Sequence, residues 1–139
     1  MDEVSLVLDL LSNNWSSNAT ALVSAGDIDA SHAVTPDFID IRTLTANKGV
    51  RVDLSRTPAT IVVFEDSQNI EYPSASYDYR NEIYSFTLHI RVLHDERGGA
   101  DASHGKDRLR AIYLILRRLI ESKRNGYTSS GGEKFHQLF

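Results

Sequence analysis

The chain predicts an α+β domain: a mostly antiparallel sheet of about four or five strands, with an N-terminal and a C-terminal amphipathic helix packed on it. Three observations carry this. From Glu82 to His94, the apolar residues Tyr84, Phe86, Leu88, Ile90 and Val92 alternate with Ser85, Thr87, His89 and Arg91. That is the period of a strand with one dry face and one wet face. Leu109, Ile112, Tyr113, Leu116, Leu119 and Ile120 recur at three- and four-residue steps, the period of a helix with one apolar side. Helical patterns stand at the two ends and strand patterns between them, so the elements are segregated rather than alternating.

Taken in order, Asp2 and Glu3 precede Val4, Leu6, Val7, Leu10 and Leu11. The spacing gives a short helix with acids at the positive end of its dipole, and Ser12-Asn13-Asn14 is the expected stop. Trp15 to Ala33 is rich in Ser, Asn, Ala and Asp and reads as a loop or weak strand. After Pro36, Phe38 to Leu44 alternates, and Asn47-Lys48-Gly49 turns it into Val50, Val52 and Leu54, predicting a hairpin. Thr60 to Phe64 is apolar on both faces and dense in β-branched residues, as suits a central, buried strand. Asp66 to Ser76 holds two turn-prone clusters and reads as an exposed loop. The last helix has candidate caps at Asp101 or Ser103, Asp107 in its first turn, Lys123 and Arg124 in its last, and Asn125-Gly126 as its stop. Residues 1–126 then form a single domain, and 127–139, with Ser129-Ser130-Gly131-Gly132, a flexible C-terminal arm.

Composition narrows the function. A chain of 139 residues is long enough for one core without staples. It has no cysteine, which removes disulfides, thiolate metal sites and a cysteine nucleophile. A net charge of -4 argues against wrapping duplex nucleic acid over the whole surface. No apolar run reaches the ~20 residues of a membrane span, and Met1-Asp2-Glu3 is acidic where a signal peptide is basic. The expectation is a soluble chain, intracellular at the time of synthesis.

No catalytic constellation stands out. Of the five histidines, His89 and His94 are an odd number of residues apart, which on a strand sends them to opposite faces. Asp53, Glu65, Asp66 and Glu71 could cluster at strand ends as the carboxylates of a metal-dependent hydrolase, yet no lysine follows Glu65 or Glu71 at the short interval such a site uses. A solvated strand end is the plainer reading. There is no Gly-x-Ser-x-Gly elbow and no phosphate-cradling glycine loop. The expectation is no metal and no cofactor.

Two surface features remain. Arg108, Arg110, Arg117, Arg118, Lys123 and Arg124 charge one side of the last helix, either as a solvated face or as a contact for an acidic partner or a nucleic-acid backbone. Tyr72, Tyr77, Tyr79 and Tyr84 with Arg80 form either a stacking platform for single-stranded nucleic acid or the rim of a subunit interface; the interface is favoured.

The order of elements, carried by Asp2 to Leu11, Thr60 to Phe64, Tyr79-Arg80-Asn81-Glu82 leading into Ile83 to Leu93, and Leu109 to Ile120, resembles that of the tail-terminator and neck proteins of tailed viruses. The resemblance covers most of the chain through pattern rather than a diagnostic motif. It implies a non-enzymatic virion protein that assembles with itself as a ring, commonly a hexamer, between the head-side connector or neck proteins and the tail tube. DNA would pass through its channel without specific binding, and no membrane is involved. Members often place further strands after the last helix, whereas Gly126 to Phe139 offers a loop with a short apolar end. The contacts expected on this reading are Tyr72, Tyr77, Tyr79, Arg80, His89, Arg91, Arg110, Arg117, Arg118, Phe135 and Phe139. The alternatives are a small nucleic-acid-binding module using the tyrosines and the arginine face, and a metal-dependent hydrolase.

Overall fold

The computed structural model describes residues 2–40, 58–71, 81–93, 104–132 and 134–135. The fold is α+β, with two helices flanking a mixed sheet. Helix α1 spans Glu3–Ser24, a single 3-10 turn Ala30–His32 follows, and strands β1 (Asp37–Asp40), β2 (Ala59–Glu71) and β3 (Asn81–Val92) precede helix α2 (His104–Ser122). Two short strands, β4 (Tyr127–Thr128) and β5 (Lys134–Phe135), close the described chain.

Helix α1 is twice the expected length. Its N-terminus is capped as its acids suggest: the Asp2 carboxylate accepts from the Ser5 amide at 2.8 Å. It does not stop at Ser12-Asn13-Asn14, because these polar side chains bond back to the helix instead of breaking it. Ser12 Oγ donates to the Leu8 carbonyl, Asn14 Nδ2 to Leu10 and Asn18 Nδ2 to Asn14, each at 2.7 to 2.8 Å. The buried stripe meanwhile continues through Leu11, Trp15, Ala19 and Leu22, so tertiary packing overrides weak local propensity. The helix ends in a Schellman turn. Gly26, at φ 79°, donates to Val23 at 3.1 Å, and the Asp27 amide reaches back to Leu22 at 3.0 Å.

In the main sheet β2 is central, with β1 parallel on one side and β3 antiparallel on the other. The parallel pair departs from the antiparallel neighbours expected; the interval between Asp40 and Ala59 is long enough for a crossover. The predicted hairpin beyond Asp40, through Val50 and Leu54, lies outside the described residues. Strand β2 is the most buried element, as its β-branched run suggests, with Ala59, Thr60, Ile61, Val62 and Val63 all essentially inaccessible. Ala59, Ile61 and Val63 face the helices, opposite Val92, Ile90 and Leu88 of β3. Both helices pack on this face, where Val4, Leu11, Trp15, Ile112, Ile115 and Leu119 complete the core. Trp15 is fixed by an edge-on contact to Phe38 at 5.7 Å and by donating Nε1–H to the Val34 carbonyl at 3.1 Å.

Asp66 to Glu71 is strand rather than loop. A register shift between Glu65 and Ser67 adds one residue to β2, after which pairing resumes to Glu71 opposite Asn81. The bulge reverses which alternate residues face the helices: Glu65 lies opposite Phe86, but beyond it Gln68 lies opposite Tyr84 and Ile70 opposite Glu82. Gln68, Asn69, Ile70, Glu82 and Ile83 are exposed, so the distal β2–β3 ribbon runs past the core.

The C-terminal segment, expected to be a flexible arm from residue 127, begins as folded structure. Tyr127 and Thr128 pair antiparallel with Phe135 and Lys134, and the Tyr127 hydroxyl donates to Asp9 of α1 at 2.6 Å. Burying an aromatic ring and satisfying its hydroxyl docks this piece on the domain.

Candidate functional site

The candidate side chains that the structure describes lie on α2, on the β2–β3 ribbon and on β5. Helix α2 buries Ala111, Ile112, Ile115, Leu116 and Leu119. The expected apolar face included Leu109 and Tyr113, but these are 43% and 53% exposed. The buried line is centred on Ile112 and Leu119 because α2 packs against α1 as well as against the sheet, which turns Leu109 and Tyr113 to the margin of the buried face. There they stand beside half-buried Ile90 of β3, and with Lys106 and Arg110 they line an open groove of about 460 Å³. Lys106, Arg110, Tyr113 and Arg117 follow at three- and four-residue steps, so the groove has an apolar floor and a cationic rim on one exposed stripe.

The basic residues do not share one side. Arg110 is exposed at the groove, Arg117 is exposed seven residues further along the helix, and Arg118 is exposed one helical step further round. Arg108 is half-buried on the side of Ile112 and Ile115. Arg117 Nε donates to Glu121 at 3.1 Å, both side chains being more than 60% exposed. That bond raises the guanidinium's affinity for its proton and contributes little to stability.

On the far face of β3, His89 stacks on Phe64 with centroids 4.5 Å apart at 48°, and Arg91 is half-buried on the same side. The expected wet face thus carries a ring contact. Tyr72, Tyr77, Tyr79, Arg80 and Phe139 lie outside the described residues. Phe135 is placed by its backbone pairing with Tyr127.

The opposite end of the ribbon has the reverse character. Ile70 and Ile83 are 39% and 38% exposed. On the face of Ile70, the Tyr84 hydroxyl donates to Glu82 at 3.0 Å and accepts from Gln68 Nε2 at 3.0 Å. Desolvation, with Glu82 and Glu3 beside the ring, pushes the Tyr84 pKa up to about 12. Glu65 is exposed on this face as well. The distal ribbon is therefore an isoleucine set among carboxylates.

Sequence reasoning missed Lys106, Leu109, Tyr113 and Ile70 as surface features. A helical projection of 104–122 centred on Ile112 would have put Leu109 and Tyr113 at the margin. The parity change at the bulge has no comparable sequence signal. Of the acids weighed as a metal cluster, Asp53 lies outside the described residues and Glu65 is exposed. Among the described residues, no three His, Asp or Glu side chains are grouped closely enough to hold an ion, and no described helix is long and apolar enough to cross a membrane. Comparison of the chain with protein-family models, with curated proteins and with solved structures gives no match in any of the three.

Proposed function

We propose that this chain is a non-enzymatic structural protein of a tailed virus, assembling with copies of itself as a ring at the head-tail junction, as tail terminator or neck ring. The ring, a hexamer if it follows the family it resembles, would join the tail tube to the connector and leave a channel for DNA. The observation that carries this reading is the β2–β3 ribbon. It extends past the core with exposed isoleucines at one end and lies beside an apolar groove at the other. Apolar surface offered at two separate places is what a protein that joins copies of itself needs. The net charge of -4 suits a conduit, because passing duplex must not adhere. Negative-stain imaging of the purified protein, with light scattering on a sizing column, tests the reading. Rings that cap isolated tail tubes are expected. A monomer at every concentration that never joins tubes overturns it.

The α2 stripe of Lys106, Arg110, Tyr113 and Arg117 gives some support to a second reading, a small module that binds single-stranded nucleic acid by charge and stacking. On that reading, binding falls steeply with salt and is lost on Arg110→Ala with Arg117→Ala.

A further inference from the structure

We infer that the described distal stretch of the β2–β3 ribbon of one copy, where Ile70 lies among carboxylates, seats in the groove between β3 and α2 of the next. The proposal rests on the ring reading and supplies its contact.

The two surfaces match in shape and in charge. The groove offers Ile90, Leu109 and Tyr113 as its floor and Lys106 and Arg110 as its rim. The ribbon end offers Ile70 directly opposite Glu82, with Glu65 further along the same face. An apolar knob between carboxylates fits an apolar floor between cations, and opposite charge fixes the register while excluding ribbon-to-ribbon contact.

The ribbon end of one copy does not reach the groove of the same copy. Glu82 and Ile90 lie on the same strand, so the knob is roughly 26 Å from the groove at about 3.3 Å per residue. The contact joins two different patches and is heterologous; repeated around an axis it closes a ring.

Charge reversal tests this on the full-length chain. Glu82→Lys on the ribbon and Arg110→Glu in the groove are purified separately, checked for folding by circular dichroism, and examined by light scattering. Each alone is expected to weaken assembly by at least about tenfold. An equimolar mixture restores it, because every contact in an alternating assembly is again between opposite charges; both changes on one chain restore it too. Glu82 accepts the Tyr84 hydroxyl, so if Glu82→Lys does not fold, Glu65→Lys replaces it and is judged in the same way. Assembly of both single variants at wild-type strength overturns the proposed contact while leaving the ring reading standing. A wild-type dimer with swap rescue keeps the contact and overturns the ring. A wild-type chain that is a monomer at every concentration and never joins tail tubes overturns both.

Discussion

The hydroxyl of Tyr127 donates a 2.6 Å hydrogen bond to Oδ2 of Asp9, joining residues 118 positions apart. Ser130 Oγ donates to the other carboxylate oxygen at 3.0 Å, and Asn13 Nδ2 donates to the tyrosine oxygen at 3.4 Å. The C-terminal piece is thus tied to the second turn of α1 by a charge-assisted bond. Tyr127→Phe keeps the ring and removes the donor; it is expected to lower stability by about 1–2 kcal/mol in urea unfolding, with a smaller loss for Ser130→Ala.

The same pair sets a pH dependence. Hydrogen bonds from Tyr127, and then from Ser130, hold the Asp9 carboxyl below its ordinary value of 3.8. A depressed folded-state value means stability that is present above 3.8 and lost as pH falls through the folded value. Asp9→Asn should therefore flatten the acid limb of a stability-pH curve. Burial first, and then Asp9, raises the Tyr127 pKa above its ordinary 10.0. The neutral phenol is the favoured form, so its contribution is complete below pH 10 and is lost as pH rises through the folded value. Chemical denaturation between pH 2 and 11, wild type against Asp9→Asn and Tyr127→Phe, checks both limbs.

Helix α2 should divide cleanly between stability and assembly. Leu119 is fully buried, and Leu119→Ala should cost about 2–5 kcal/mol by leaving a cavity. Leu109→Ala, at a position 43% exposed, should shift stability by less than about 1 kcal/mol yet weaken self-association. Thermal melts and light scattering on both variants separate the two effects.

The alternating strand suggests that a carboxylate at Leu88 would unfold the protein. Leu88 is half-buried, however, while Val63 opposite it is fully inaccessible. Val63→Asp should abolish folding by burying an unpaired charge, and Leu88→Asp should be the milder of the two. Near-ultraviolet dichroism of Trp15, which packs in the same core, reports the difference.

Gly26 has φ 79° at the end of α1, with open space where a Cβ would stand. Gly26→Ala is therefore strained by its backbone alone and should lower stability by about 1 kcal/mol, as read from the thermal midpoint.

How much of this was legible varies by element. Strand β3 and helix α2 could be read as elements because a long apolar period identifies a strand or a helix, although the exact margin of the buried face of α2 could not. The full length of α1 could not. Ser12, Asn13 and Asn14 are stop signals in isolation, and only side-chain bonds back to the helix, with Trp15 and Leu22 held in the core, make them helical. The strand at Asp66 to Glu71 was hidden in the same way. Its turn-prone residues are held extended by β3, a partner remote in sequence.

The sequence by itself determined the class of fold, the existence of a buried strand around Thr60 to Val63, the alternation of β3 and the helical period of α2, because period and hydrophobicity are local properties that water reads directly. Tertiary structure alone decided which margin of α2 stays open, where the bulge turns Ile70 to the helix side of the ribbon, and that Tyr127 meets Asp9. Each of these depends on the rotation or register of one element against another, and that geometry is fixed only when the whole core packs.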